Sequence, residues 1–322
     1  MRFGLLSTAR INDRFLAGVA ASQSCDVLAI ASRDRARAAD YAREHGIERA
    51  YGTYEELLAD PDVEAVYVSL PNGLHVEWTR RALDAGKHVL CEKPLSRRAG
   101  EARAVFDLAE ETGRVLTEAF MYRHHPQTAR VAELVSAGAL GRLRLVRASF
   151  GFLLRDAGNP RLSAALEGGA LMDVGCYCVN AARLLAGEPV AVSAMQVRGP
   201  DGVDVSFAGV MRFADGVLAT FDSGFVFAHS ALEVVGEEAS LFVADPWHCR
   251  RPGIELRHDG ATERVAIADA DPYRLEADDL AAAVRERRPP LLGRADGIGQ
   301  ARTIEALYWS AESGRARELR DE

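Results

Sequence analysis

Four times in its first third the chain pairs a short apolar run with a longer helical pattern, and this alternation constrains the fold more than any other feature. The runs Phe3–Leu6, Val27–Ala31, Ala65–Leu70 and His88–Cys91 precede the helical patterns Ile11–Ala21, Ala36–His45, His75–Ala85 and Ala99–Thr112. Strands separated by helices of this length pair in parallel, and the helices then cover the sheet. The run Ala65-Val66-Tyr67-Val68-Ser69-Leu70 is nearly continuous in apolar character, which suits a strand buried on both faces. Val115–Thr117 supplies a further strand.

The texture changes at about Arg142. Val203, Val205, Phe207, Gly209, Met211 and Phe213 recur with period two, the mark of an antiparallel strand. Arg142–Phe152, Val190–Val197, Val217–Phe227, Leu232–Val235 and Ser240–Val243 read as further strands, with Asp215-Gly216 as a hairpin turn. Helical patterns at Thr128–Ala137, Leu171–Leu185, Leu275–Glu286 and Gly297–Ser313 interrupt them, and Arg287–Pro290 reads as a loop. At 322 residues the chain exceeds one ordinary hydrophobic core. The expected architecture is α/β plus α+β. A Rossmann-type parallel sheet occupies residues 1–120, and residues 121–322 form a substrate-binding and oligomerisation domain with a large, mostly antiparallel open sheet.

A net charge of −8, spread without a basic block, argues against a nucleic-acid partner. No apolar run reaches bilayer length, and Met1-Arg2 leads straight into Phe3-Gly4-Leu5-Leu6, too short for a signal-peptide core. The expectation is a cytoplasmic protein with no membrane partner. Five cysteines, Cys25, Cys91, Cys176, Cys178 and Cys249, lack C-x-x-C spacing and suggest neither a disulfide framework nor a zinc ribbon. No metal is expected.

The turn Gly4-Leu5-Leu6-Ser7-Thr8-Ala9-Arg10-Ile11-Asn12 stands where backbone amides and a helix N-terminus would receive a pyrophosphate. Ser7, Ala9 and Asn12 occupy the positions of Gly, Gly and Gly or Ala in the dinucleotide fingerprint, so an ordinary strand-to-helix loop is the competing reading. Ser7, Thr8, Ala9, Arg10 and Ile11 are the candidate contacts. The second strand ends Ala31-Ser32-Arg33, and a guanidinium there suits a 2′-phosphate, which favours NADP while leaving NAD open. Alternatively, Arg33 is a solvated charge and Asp34 a helix cap.

Open α/β sheets gather ligands at the C-terminal ends of their strands. Leu70-Pro71-Asn72-Gly73-Leu74-His75 and Cys91-Glu92-Lys93-Pro94 lie at such ends, the second with a lysine restricted by proline and compatible with a cis bond. Leu70, Asn72, His75, Glu92 and Lys93 are therefore candidate cofactor contacts, with helix caps and a surface lysine as the alternatives. In Gly168-Gly169-Ala170-Leu171-Met172-Asp173-Val174-Gly175-Cys176-Tyr177, helical spacing puts Asp173 and Tyr177 on one face, and the glycines admit a ligand close to the backbone. A capping acid and a half-buried aromatic are the competing roles.

Taken in order and spacing, these segments resemble the Gfo/Idh/MocA oxidoreductase family, named for glucose-fructose oxidoreductase and inositol dehydrogenase. The likeness also takes in Tyr51-Gly52-Thr53-Tyr54-Glu55-Glu56-Leu57-Leu58 and Glu118-Ala119-Phe120-Met121-Tyr122-Arg123, and covers essentially the whole chain. Many members carry histidine four residues after the Asp. Tyr177 in that place makes the chain similar to the branch holding NADP-dependent D-xylose dehydrogenases, dimeric dihydrodiol dehydrogenases and ketoreductases of nucleotide-linked deoxysugars.

The resemblance implies a nicotinamide cofactor, a sugar or cyclic polyol substrate and a homodimer or higher homo-oligomer formed through the antiparallel sheet. It makes Lys93 the lysine of the Glu-Lys-Pro motif, near the nicotinamide ribose and the reacting oxygen, and Tyr177 the acid/base. A free tyrosine titrates near roughly 10, so a nearby lysine cation would favour its phenolate. Asp173 would accept from a neighbouring sugar hydroxyl, and Phe152 and Arg161 line the substrate side. The competing activities are a ketoreductase of nucleotide-linked sugars, a dihydrodiol dehydrogenase and a dinucleotide-sensing regulator without catalysis.

Overall fold

Tight β-α alternation dominates the first part of the computed structural model, which describes residues 1–319. Its contacts gather into two units, Met1–Met121 with Asp271–Ile298, and Tyr122–Ala270 with the chain from Gly299 onward.

The first unit runs β1 (Arg2–Leu6), α1 (Ile11–Ala20), β2 (Asp26–Ala31), α2 (Arg35–His45), β3 (Arg49–Tyr51), α3 (Tyr54–Leu58), β4 (Ala65–Val68), α4 (His75–Asp84), β5 (His88–Glu92), α5 (Ala99–Glu111) and β6 (Leu116–Ala119). Its six strands are parallel in the order β3-β2-β1-β4-β5-β6. All four residues of β4 are buried, which is what its continuous apolar run demands of a sheet covered on both sides. The strand order reverses direction beside β1, where such sheets open a ligand crevice at their C-terminal ends.

The second unit carries α6 (Pro126–Ser136), β7 (Leu143–Gly151), a wide π-helical turn (Leu171–Gly175) leading into α7 (Cys176–Ala186), then β8 (Pro189–Arg198), β9 (Asp204–Phe213), β10 (Leu218–Gly224), β11 (His229–Gly236), β12 (Ser240–Val243), β13 (Ile254–His258) and β14 (Ala261–Val265). With β15 (Arg317–Glu318) these strands form a nine-stranded sheet in the order β14-β13-β12-β11-β7-β10-β9-β8-β15. Every pairing is antiparallel except β10 with β7. Along β9, Phe207, Gly209, Met211 and Phe213 are buried and the residues between them exposed, as period two requires.

Helix α8 (Pro272–Glu286) belongs to the first unit, although a division at 120/121 assigns it to the second region. Its Ala277, Leu280 and Ala281 join Phe3, Leu5, Phe15 and Tyr67 in one core. Gly18 of α1 makes the approach possible, because a Cβ there would lie 2.7 Å from the Arg274 backbone nitrogen. Helix α9 (Arg294–Ser313) follows. No helix among the described residues is long and apolar enough to cross a membrane, and all five cysteines are buried free thiols.

Candidate active site

In the first unit, the turn between β1 and α1 is built on Ser7, whose φ of +134° lies where glycine is favoured. Its hydroxyl donates to the Ser69 carbonyl at 2.9 Å and accepts from the Ala9 amide at 3.1 Å, and its carbonyl accepts from Asn12 Nδ2 at 2.7 Å. The backbone therefore follows a glycine-type path with a serine in place. Thr8, Ala9 and Ile11 are half-buried, and Arg10 is exposed where α1 begins.

At the end of β2, Ser32 is buried and Arg33 exposed. Both amides that start α2, those of Ala36 and Arg37, donate to Asp34 Oδ1 at 2.9 and 3.2 Å. The carboxylate nearest this strand end is thus committed to capping its own helix, and the Arg33 cation beside it is exposed and reaches the Tyr54 phenol. These residues fit a dinucleotide: a glycine-like turn opens toward a helix start, and a guanidinium stands at the second strand's end.

At β4, Leu70 is buried and Asn72 half-buried at the start of a short turn. His75 is buried more deeply. Its side chain is 1% exposed, with Nδ1 2.8 Å from the Pro94 carbonyl and Nε2 2.7 Å from the Leu70 carbonyl. Burial pushes the ring below the usual histidine range while the two carbonyls, both acceptors, pull it the other way, and the ring bridges the turn after β4 to the turn that carries Lys93. The Lys93–Pro94 bond is cis, and the Leu95 amide donates to the buried Glu118 carboxylate at 2.7 Å. Lys93 and Glu92 are half-buried, and Glu92 accepts a hydrogen bond from the buried hydroxyl of Tyr67.

In the second unit, Tyr177 stands in the first turn of α7, 8% exposed, with its ring centre 5.4 Å from Phe150, 5.6 Å from Tyr122 and 6.0 Å from Trp247. Trp247 is fixed by donating Nε1–H to the Ser149 carbonyl at 2.9 Å, and Tyr122 by donating to Asn180 Oδ1 at 2.6 Å. The phenol therefore sits in a rigid aromatic wall. Asp173, on the wide turn before it, accepts from Arg161 Nε at 2.6 Å. Arg161 also lies 6.0 Å over the Phe152 ring, so Arg161, Asp173 and Phe152 come together within this unit.

Residues 1–120 match the model of an oxidoreductase family with an NAD-binding Rossmann fold, and residues 128–242 that of the GFO/IDH/MocA C-terminal domain. The chain is 43% identical to a D-xylose 1-dehydrogenase (NADP(+)) of Haloferax volcanii over 99% of its own length and 100% of the relative's.

The chain belongs to the Gfo/Idh/MocA oxidoreductases.

Solved structures agree across the whole fold. An aldose-aldose oxidoreductase from Caulobacter crescentus, complexed with glycerol, superposes with a TM-score of 0.93 at 29% identity, covering 99% of both chains. A 3-ketoreductase from Actinomadura kijaniata, in complex with NADP and TDP-benzene, gives 0.90 at 33% identity over 96% of this chain and 97% of that one. Within this member of the family, the sequence did not single out the aromatic wall of Tyr122 and Trp247, or the buried Asp204 and Tyr308. The wall's signal lies in its large aromatics, but their convergence is a product of β7, α7 and the turn after β12. Asp204 leaves a clearer one, an acid at the head of an alternating strand.

Proposed function

We propose that this oxidoreductase transfers a hydride between NADP and the carbon of an aldose or cyclic polyol, with a D-xylose-type aldose oxidised at C1 as the leading substrate class. The observation that carries the reading is the 43% identity to an NADP-dependent D-xylose 1-dehydrogenase across essentially the entire chain. Capping by Asp34 supports NADP over NAD, because it leaves Arg33 as the exposed charge at the end of β2. When bound, the nicotinamide supplies the hydride chemistry.

The remaining tasks fall to side chains. Tyr177 gives or takes the proton of the reacting oxygen, and Lys93 offers a positive charge that stabilises oxyanion character there. Asp173 orients a neighbouring hydroxyl, held in direction by Arg161. The Phe150 and Trp247 rings around Tyr177 exclude water from one side of the phenol. The ketoreductase reading stays second, favoured by the likeness to the Actinomadura kijaniata enzyme. The exposed outer face of the nine-stranded sheet supports a homodimer.

Reduced-nicotinamide absorbance followed with NADP and NAD across aldoses, cyclic polyols and dihydrodiols tests the reading. Turnover with an aldose is expected, falling by a factor on the order of 10² to 10⁴ in Tyr177→Phe, the usual range for lost acid–base catalysis. Full activity in that variant overturns the role of Tyr177. Activity confined to keto-sugars linked to a nucleotide moves the substrate to the second reading.

A further inference from the structure

Strand β9 buries its odd-numbered residues from Phe207 to Phe213, yet Asp204, of the opposite parity, is 2% exposed. The pairing with β8 explains the inversion. Val197 stands opposite Ser206 and Arg198 opposite Asp204, so the register skips a residue at Val205, and a bulge of this kind re-aims the side chains before it. Asp204 is thereby turned in beneath the wide turn that leads to Tyr177.

There its two oxygens are both used. Oδ2 accepts from the Leu171 amide at 2.7 Å, and Oδ1 from the Tyr308 hydroxyl at 2.8 Å. Leu171 opens the π-helical turn, and an amide at a helix start has no partner within the helix unless something caps it. Gly169 makes room: its φ is +126°, and a Cβ there would lie 2.2 Å from Asp204 Oδ1 and 3.0 Å from Tyr308 Oη.

The far end of the turn is held as well. The Cys176 amide reaches back five residues to the Leu171 carbonyl, and the Cys176 carbonyl accepts from Gln300 Nε2 at 2.8 Å. A Cβ on Gly175 would come within 2.6 Å of Ser223 Oγ, so the turn packs directly on β10. One extra residue per turn is a rare winding, seen mostly where function fixes it. An α-helix turns about 100° per residue, so relaxing the turn by one residue would rotate Tyr177 by about that angle.

We propose that Asp204, braced by Tyr308, is a positioning residue: it locks the wide turn and so sets the direction in which the Tyr177 phenol leaves α7. A carboxylate suits this place better than an amide, because it accepts from both donors at once and its charge faces a helix N-terminus. The inference rests on the reading of Tyr177 as the acid/base group, and its test is arranged to separate the two.

The experiment compares Asp204→Asn with the parent by two readouts, steady-state kinetics and NMR of protein carrying 13C at the tyrosine ring carbon that bears the hydroxyl. Of the eight tyrosines, Tyr177 is identified by the resonance missing in Tyr177→Phe. In Asp204→Asn, that resonance and its titration midpoint move. The value of kcat falls on the order of 10- to 100-fold, as expected when a reacting group shifts by about an ångström, while cofactor affinity holds. A folded Asp204→Asn with the parent's Tyr177 resonance, titration and kcat overturns the proposal. If Asp204→Asn does not fold, Tyr308→Phe keeps the carboxylate and its bond to Leu171, and shifts the same resonance by less. No shift there overturns the proposal too. Should Tyr177→Phe keep full turnover, the acid/base reading fails, and the resonance still decides whether Asp204 positions the ring.

Discussion

Ser7 holds a backbone conformation that costs a non-glycine residue roughly 1–3 kcal/mol, and it does so at the turn proposed to receive the cofactor. Its bonds to Ser69 and Ala9 offset part of that strain. Ser7→Ala removes the hydroxyl and keeps the strained φ, for a loss of about 1–3 kcal/mol from the stranded partners. Ser7→Gly loses the same bonds but relieves a strain of roughly 1–3 kcal/mol, and so is more stable than the alanine variant. Urea unfolding is expected to place the alanine variant below both the parent and the glycine variant, and an alanine variant as stable as the parent would mean that the hydroxyl does not hold the turn. The departure from the glycine fingerprint was readable in the sequence, but its outcome was not, because φ at residue 7 depends on Ser69 in another strand's turn. His75 shows the same limit. An asparagine and histidine at a helix start look alike as ligands or caps, and the contact of His75 with the Pro94 carbonyl, 19 residues away, is not written in that local pattern.

Helix α8 carries a charge problem into the core of the first unit. Glu276 is 1% exposed, and neither of its carboxyl oxygens has a hydrogen-bond partner among the described residues. Burial above all, then the charges of Glu92 and Asp271, raise its pKa well above the usual carboxylate range. A carboxyl held protonated in the folded state and ionised in the unfolded state draws stability away as pH rises above about 4.3, the free glutamate value. Glu276→Gln removes the titration at nearly constant shape. Its melting temperature is expected to exceed the parent's by a few degrees at pH 7.5, with the gap closing as pH falls to about 4.3. An equal gap at both pH values would show that packing, not ionisation, separates the two. The helix itself was legible from its pattern, but its place against α1 was not, since the signal is a small face meeting Gly18 across more than two hundred residues. The hairpin of β13 and β14 was likewise unread. Its turn, Asp259-Gly260, repeats the dipeptide Asp215-Gly216, with positive φ at both residues where the earlier turn has it at the glycine alone, but its strands are too exposed to alternate.

At the scale of the molecule, the nine-stranded sheet has one face covered by its own helices and another that is not. On that outer face Met195 is 80% exposed, and Val197, Val210 and Leu218 are exposed on the three neighbouring strands β8, β9 and β10. Their register partners are mostly small, Ser193 standing opposite Val210, which stands opposite Thr220, and Ala208 opposite Met195, while Arg212 stands opposite Leu218. Such rows line an open hollow of about 710 Å³, with the Arg147–Glu233 ion pair farther across it on β7 and β11. An exposed sheet face with apolar residues at its centre suits its own copy related by a twofold axis, where each residue meets the same patch of the other chain. The parent is therefore expected to have the mass of two chains by light scattering at micromolar concentration, and Met195→Glu/Val210→Glu the mass of one. Burying like charges against each other across a twofold axis is what the double variant imposes, so a surviving dimer would place the interface elsewhere. A parent that is a single chain would leave the exposed apolar row without a partner of its own kind.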